Sequence, residues 1–129
     1  MAEGTGKRIL LVDDSSLVRL YYRDALEHAG YAVDEALNGL EALEKLLVRP
    51  VDLLVVDVNM PQMDGFTFLE VLRRQEPPVA SIPALVTSTE AGAGDIAAAR
   101  AAGANFYLVK PVPQDVLTAY AAMLCGDPA

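Results

Sequence analysis

Acidic, hydroxyl and amine side chains follow apolar runs at four places along the chain. These residues are Asp13 and Asp14, Asp57, Thr87 and Ser88, and Lys110. If the apolar runs are parallel strands, their carboxyl ends share one edge of the sheet and these side chains meet there. Carboxylates at ~4 Å repel by about 4 kcal/mol per pair at an effective dielectric constant near 20, so they require a cation. The pattern therefore predicts a cation site at a sheet edge.

The types of ligand favour Mg²⁺ together with a phosphoryl group. Mg²⁺ prefers carboxylate oxygens completed by water and phosphate, whereas a closed Zn²⁺ site needs several His and Cys ligands, and this chain has one of each. Lys110 offers a point charge to phosphate oxygens, and Thr87 offers a hydroxyl donor. We expect Asp57 to accept the phosphoryl group as a nucleophile, forming an aspartyl phosphate.

The apolar runs alternate with helical patterns through the whole chain. Strands are predicted at residues 9–12, 31–36, 51–57, 81–88 and 105–109, with a helix after each. Ser15 or Ser16 is the predicted cap of the first helix, Asn38-Gly39 opens the second, and Asp95 is the predicted cap of the fourth. This alternation predicts one α/β domain with a parallel sheet and right-handed crossovers.

Composition and charge exclude several classes of function. The 129 residues, of which 53% are hydrophobic and 22% charged, suit a single globular domain. The net charge of −8 argues against direct binding of nucleic acid and against attraction to an anionic membrane. A single cysteine, Cys125, excludes an internal disulfide and predicts a cytoplasmic location. Neither a signal peptide nor insertion into a membrane is expected.

The motifs at the strand ends, taken together and in order, resemble the receiver domain of bacterial response regulators, most closely the single-domain chemotaxis (CheY-like) type. They are Asp13-Asp14-Ser15, Asp57 to Gly65, Thr87-Ser88 and Val109-Lys110-Pro111. The resemblance implies a flavodoxin-like (βα)5 doubly wound fold, with a five-stranded parallel sheet in the order 2-1-3-4-5. It also implies a flexible amino terminus at residues 1–6, a receiver domain at 7–124 and a carboxyl-terminal tail at 125–129.

The resemblance implies a role for each residue of the site. Asp57 would be the phosphoacceptor, supplied by the phosphohistidine of a histidine kinase or phosphotransfer domain, or by a small phosphodonor. The implied Mg²⁺ ligands, with Mn²⁺ as a substitute ion, are the side chains of Asp14 and Asp57, the backbone carbonyl of Asn59, and Asp13 through water. The implied phosphoryl-binding residues are Lys110, Thr87 and Ser88, and the implied switch residues are Thr87 and Tyr107.

The implied function is a phosphorylation-dependent switch of a two-component, chemotaxis-like signalling system, which catalyses only its own phosphorylation and dephosphorylation. Phosphorylation would change the surface made by the fourth helix, fifth strand and fifth helix, where a downstream target protein binds. We expect a monomer, with dimerisation on phosphorylation as an alternative.

Other functions are weighed against this one. The absence of one of the acidic residues or of the lysine would indicate a receiver-like module that does not use phosphate. This chain has all of them. A hydrolase of the haloacid-dehalogenase type needs a second Asp two residues after the nucleophile, and the chain has Asn59 there. A flavin-binding protein is disfavoured because the first loop is acidic where a phosphate cradle is needed.

Overall fold

The computed structural model describes residues 4–127, in which five parallel strands alternate with five α-helices. The strands are β1 (Arg8–Val12), β2 (Ala32–Ala36), β3 (Leu53–Asp57), β4 (Ala84–Ser88) and β5 (Phe106–Val109). The helices are α1 (Ser16–His28), α2 (Gly39–Val48), α3 (Gly65–Arg73), α4 (Ala93–Ala102) and α5 (Gln114–Cys125). The strands lie in the order β2-β1-β3-β4-β5, and every pairing is parallel. The predicted flavodoxin-like sheet is therefore confirmed.

The side chains of the sheet alternate between two apolar layers. Leu53 and Val55 of β3 face the layer that α1 and α5 cover, whereas Leu54 and Val56 face the layer that α2, α3 and α4 cover. Helices on both faces leave β3 buried along its whole length. The apolar run predicted as a strand at residues 51–57 therefore forms the centre of the sheet, and Asp57 ends it.

Short polar side chains cap three of the helices: Ser15 and Asn38, as predicted, and Asp64, which accepts a hydrogen bond from the amide of Thr67 at the start of α3. Ser15 accepts a hydrogen bond from the amide of Val18 at the start of α1, and Asn38 accepts one from the amide of Glu41 at the start of α2. The predicted cap at Asp95 is wrong, because α4 already begins at Ala93 and Gly92 occupies the cap position. Asp95 lies in the first turn instead, where its charge interacts favourably with the helix dipole.

Four of the five strands begin later than predicted, and β4 differs the most. β4 begins at Ala84 rather than at residue 81, because residues 79–81 form a 3₁₀ turn and Pro83 has no amide hydrogen for the ladder. α3 ends at Arg73. The Arg73 guanidinium then donates to the carbonyls of Ile82 and Gly103, each at 2.6 Å, which joins the end of α4 to the entry of β4.

The chain termini limit what can be said of the predicted end segments. Residues 1–3 of the expected flexible amino terminus and residues 128–129 of the expected tail lie outside the described residues. Within residues 4–127, every helix is too short or too polar to cross a membrane.

Candidate functional site

Three carboxylates meet at the carboxyl ends of β1 and β3. Asp13 and Asp14 follow β1, and Asp57 is the last residue of β3. One oxygen from each of the three lies within 4.8 Å of the others. Asp13 and Asp57 are buried, with 2% and 5% of their surfaces exposed, whereas Asp14 is open to solvent. The predicted convergence of acidic side chains is therefore present in the fold.

Lys110 bridges the two buried carboxylates. Its ammonium lies 2.9 Å from an oxygen of Asp13 and 3.1 Å from an oxygen of Asp57. Its backbone amide donates to the carbonyl of Ser88 at 2.7 Å, which fixes the loop after β5 against β4. Burial alone would lower the pKa of Lys110, but the hydrogen bonds and charges of the two carboxylates outweigh burial and raise it. Lys110 is therefore a permanent cation in the site.

Asp57 remains short of positive charge despite this contact. Burial raises the pKa of Asp57, and the nearby charge of Asp13 raises it further, while Lys110 and the backbone amide of Asn59 act in the opposite direction. Because burial and the charge of Asp13 outweigh the two favourable interactions, the ionised form of Asp57 is less favourable than it would be in water. An additional cation at this position would offset that deficit.

Both carboxylate oxygens of Asp13 already accept hydrogen bonds. One accepts from the backbone amide of Ser15 at 2.9 Å, and the other accepts from Lys110. An indirect contact of Asp13 with a metal, through water, suits this arrangement better than direct ligation. The exposed carboxylate of Asp14 is the more accessible ligand.

Arg19 is a site residue that the sequence analysis missed. Its guanidinium is buried, donates to the carbonyl of Asp13 at 2.5 Å and pairs with Glu35 of β2 at 2.7 Å. Burial would raise the pKa of Glu35, but hydrogen bonds from Arg23 and Arg19 outweigh burial and lower it. The available signal was the position of Arg19, three residues before Tyr22 on the apolar stripe of α1, where a charge needs a buried partner.

The two predicted hydroxyl ligands point in different directions. Thr87 is opposite Asp57 in the sheet register and is fully buried, and its hydroxyl has no hydrogen-bond partner within residues 4–127. Ser88 is the next residue along β4, so its side chain faces the other side of the sheet. Its hydroxyl accepts a hydrogen bond from the amide of Glu90 at 3.1 Å. The structure brings Thr87 to the carboxylates but not the hydroxyl of Ser88.

Tyr107 lies beside the loop that follows β4. Its ring packs against the apolar layer under α3 and α4, and its hydroxyl donates to the carbonyl of Glu90 at 2.7 Å. Glu90 is three residues after Thr87, so the loop between them connects the site to Tyr107. The register of β4 and β5 pairs Tyr107 with Val86, so the side chains of Thr87 and Tyr107 lie on opposite faces of the sheet.

The loop after Asp57 is held close to the strand end. The amide of Gly65 donates to the carbonyl of Val58 at 2.9 Å, and Asn59 is exposed between them. A Cβ atom at position 65 would lie 2.5 Å from the backbone oxygen of Asp57, so only glycine fits. This close approach fixes the phosphoacceptor candidate and the carbonyl of Asn59 in one rigid turn.

The donor set fits a hard divalent cation. Three carboxylates, one of them exposed, and a loop carbonyl at Asn59 offer oxygen ligands of the kind that Mg²⁺ binds while keeping several waters. The raised pKa of Asp57 is the electrostatic counterpart of this fit, because a bound cation would favour the ionised carboxylate.

Comparison with known proteins points to one family. The family model of the response regulator receiver domain matches residues 9–122. The chain is 39% identical over 116 residues to the sensor protein EvgS of Escherichia coli (strain K12), which is 90% of this chain and 9% of that protein. It is 42% identical over 106 residues to a protein-glutamate methylesterase/protein-glutamine glutaminase of Archaeoglobus fulgidus, which is 81% of this chain and 30% of that protein. The chain thus spans less than a third of either relative.

A solved structure shows the same fold along almost the entire chain. The chemotaxis protein CheY4 of Vibrio cholerae superposes with a TM-score of 0.85 and 34% sequence identity, covering 95% of this chain and 99% of that one. The family match, the strand order and the cluster of acids with Lys110 agree. The chain belongs to the family of response regulator receiver domains.

Proposed function

We propose that the chain is a phosphorylation-dependent switch, in which Asp57 accepts a phosphoryl group in a Mg²⁺-dependent reaction. The observation that carries this proposal is the bridge from Lys110 to Asp13 and Asp57, next to a third carboxylate within 4.8 Å. A purely structural ion pair needs one carboxylate, whereas this site gathers three carboxylates, two of which contact the ammonium of Lys110. The excess negative charge suits a site that binds a cation and then a phosphoryl group.

The donor is a phosphohistidine on a histidine kinase or phosphotransfer domain, or a small acyl phosphate. An oxygen of the Asp57 carboxylate forms a bond to phosphorus while the phosphorus–nitrogen bond of the phosphohistidine breaks. The electron pair of that bond stays on the imidazole nitrogen. The ring leaves as neutral imidazole, either because its other nitrogen already carries a proton or because the ring takes one from solvent as the bond breaks. The product is an acyl phosphate on Asp57, and later attack by water releases inorganic phosphate and restores the carboxylate.

The cation site is formed by residues of the first and third strand ends. Asp14 and Asp57 through their side chains, Asn59 through its carbonyl and Asp13 through water would hold Mg²⁺ or Mn²⁺. When bound, the ion supplies positive charge that offsets repulsion between the carboxylates and the phosphoryl oxygens. Lys110 already lies 3.1 Å from Asp57, so it can turn its ammonium to a phosphoryl oxygen without a large movement.

Thr87 transmits the state of the site to the protein surface. Among residues 4–127, its buried hydroxyl has no hydrogen-bond partner. It can therefore donate to a phosphoryl oxygen, which would draw the end of β4 toward Asp57. The loop after Thr87 carries Ser88, whose hydroxyl is a further phosphoryl ligand only if this loop rearranges, and then Glu90. Because the carbonyl of Glu90 accepts the hydroxyl of Tyr107, a shift of this loop moves the Tyr107 side chain.

The surface that responds is formed by α4, β5 and α5. It exposes large apolar side chains, which are Ile96, Phe106, Val109 and Met123. A downstream target protein binds there in this proposal. Similarity to CheY4, a chemotaxis protein, supports a chemotaxis-like pathway. In this proposal the chain acts in the cytoplasm as a monomeric switch that dimerises, if at all, on phosphorylation. The chain acts on no substrate besides its own phosphoryl group.

Intact mass measurement after incubation with Mg²⁺ and acetyl phosphate tests the phosphoacceptor. The wild type should gain one phosphoryl group, which is lost at alkaline pH, and Asp57→Asn should gain none. Asp52→Asn is the matched control, because Asp52 belongs to the same apolar run but is exposed beyond the opposite end of β3. Labelling of Asp57→Asn at the wild-type level would show that another residue is the nucleophile.

A further inference from the structure

Arg19 holds the backbone that carries the two acids after β1. Its Nη1 group donates to the carbonyl of Asp13 at 2.5 Å, and that carbonyl belongs to the peptide unit that joins Asp13 to Asp14. The amide of Asp13 donates to the carbonyl of Ala36, the last residue of β2, at 3.1 Å. Hydrogen bonds therefore fix both polar groups of the Asp13 main chain.

The guanidinium of Arg19 is itself fixed by Glu35 of β2. Its Nε group donates to one oxygen of the Glu35 carboxylate at 2.7 Å, and only 9% of the Arg19 surface is exposed. Arg23, one turn further along α1, donates to the other oxygen of Glu35, and its remaining hydrogen bonds within residues 4–127 go to Glu27 and Val33. Two arginines thus share one carboxylate, and Arg19 is the one that is bonded to the acidic loop.

The direction of the Asp14 side chain depends on this loop. The carboxylate of Asp13 is buried and accepts hydrogen bonds from the Ser15 amide and from Lys110, whereas Asp14 is exposed. Because little packing surrounds an exposed side chain, its own backbone sets its direction. Rotation of the peptide unit before Asp14 would move its carboxylate away from Asp13 and Asp57, with which it now shares a 4.8 Å cluster.

The charge of Arg19 and its hydrogen bond to Asp13 have opposite effects on a bound cation. Like charges repel, so loss of the guanidinium would, through charge alone, strengthen the binding of Mg²⁺. Loss of the bond to the Asp13 carbonyl would weaken binding, because the Asp14 carboxylate would no longer be held beside Asp57. The sign of a change in Mg²⁺ affinity therefore separates an effect of position from an effect of charge.

We propose that Arg19 is a positioning residue for the cation site, which holds the peptide unit between Asp13 and Asp14 so that the Asp14 carboxylate lies beside Asp57. This inference rests on the proposed function, because that function makes Asp14 and Asp57 the ligands of Mg²⁺. Residues that orient metal ligands without touching the metal typically contribute about 10–100-fold to affinity. Arg19 orients one ligand of an ion that keeps several waters, so we expect about tenfold.

Arg19→Gln tests this role because the glutamine amide ends where Nε of arginine lies. It keeps a donor that can face Glu35 and lacks the Nη1 group that reaches Asp13. Mg²⁺ is titrated by NMR on the amide of Asp14, with folding checked by circular dichroism, and Arg19→Gln should bind about tenfold more weakly than the wild type. Arg23→Gln is the matched control, since it also removes an arginine from Glu35, and it should bind as the wild type does. Unchanged or tighter binding by Arg19→Gln, or an equal loss in Arg23→Gln, overturns the proposal.

A second readout needs no variant. Coupling between two sites is reciprocal, so bound Mg²⁺ must stabilise the Arg19 contact by the factor that the contact contributes to Mg²⁺ affinity. In the wild type, Mg²⁺ should slow hydrogen exchange of the Arg19 guanidinium by up to about tenfold and leave that of Arg23 unchanged. Equal exchange at Arg19 with and without Mg²⁺ also overturns the proposal. Failure of the wild type to bind Mg²⁺ would refute the proposed function itself, which a wild type that binds Mg²⁺ independently of Arg19 would leave standing.

Discussion

Removal of the negative charge at Asp57 should stabilise the protein in the absence of metal. At 4.8 Å, the largest separation within the acidic cluster, each repulsion between charged carboxylates is about 3.5 kcal/mol at an effective dielectric constant of 20. The attraction to Lys110 at 3.1 Å is about 5 kcal/mol on the same scale. Because Asp14 is exposed, solvent and salt screen its repulsion of Asp57. The remaining repulsion between carboxylates and the attraction to Lys110 then nearly cancel. The burial of Asp57 then determines the sign of the change in stability, and burial favours a neutral side chain.

Asp57→Asn is therefore expected to gain on the order of 1–2 kcal/mol in free energy of unfolding in EDTA near neutral pH. For a domain of this size, the melting temperature should rise by about 3–5 °C per kcal/mol. The assay is urea and thermal unfolding followed by circular dichroism. Asp24→Asn is the control, because Asp24 is an exposed carboxylate on α1 far along the helix from the site.

The pH dependence supplies a second signature. The pKa of Asp57 in the folded protein is raised above its ordinary value of 3.8, mainly by burial. Stability linked to this group is therefore complete below pH 3.8 and is lost as the pH rises through the raised value. The difference in free energy of unfolding between Asp57→Asn and the wild type should be absent at acid pH and should appear as the pH rises. A variant that is no more stable than the wild type at neutral pH in EDTA would refute the electrostatic reasoning.

Three further substitutions probe the remaining charges. Lys110→Ala should lose about 3 kcal/mol of stability in urea, because it leaves buried carboxylates without a partner; a loss below ~1 kcal/mol would contradict the bridge. Asp14→Asn should leave stability in EDTA unchanged but remove most of the thermal stabilisation by Mg²⁺, about 2.7 kcal/mol in the wild type at 100 times Kd; an undiminished Mg²⁺ response would exclude Asp14 as a ligand. Arg19→Gln should lose about 2 kcal/mol in the same urea assay, because the Asp13 carbonyl loses the donor from Arg19 and Glu35 keeps only Arg23 of its two arginine partners. Arg19→Lys should restore only part of this stability; full restoration by lysine would show that charge alone matters.

The sequence could predict the meeting of the acids with Lys110 because that prediction needs only strand order and direction. Asp57 ends a run that must be buried, and the carboxyl ends of parallel strands share one edge. The position of the acidic residues and of Lys110 at this edge of the sheet follows from the topology. The structure places all three carboxylates there, with Lys110 between two of them. Small errors in strand length do not matter to such an argument.

Directions of individual side chains were harder to predict. Thr87 and Ser88 are adjacent hydroxyl residues at one strand end, and only the register with β3 shows which one faces Asp57. Arg19 depends on Glu35 of another strand, a pairing that no local pattern contains. Asp95 is a residue type that often caps helices, but α4 begins two residues earlier, with Gly92 at the cap position. Local chemistry names the candidates, and long-range packing selects among them.

The absence of a side chain at Gly65 lets the turn eight residues after Asp57, the proposed nucleophile, pack against the end of β3. With the backbone oxygen of Asp57 only 2.5 Å from where a Cβ would stand, even a methyl group would push the end of β3 away from its neighbours. The carboxylate would then be displaced relative to the ammonium that now lies 3.1 Å away. Alanine at this position would therefore impair the proposed phosphorylation of Asp57 without changing any reacting atom. The loss would come from the displaced position of the carboxylate and not from a change in its reactivity.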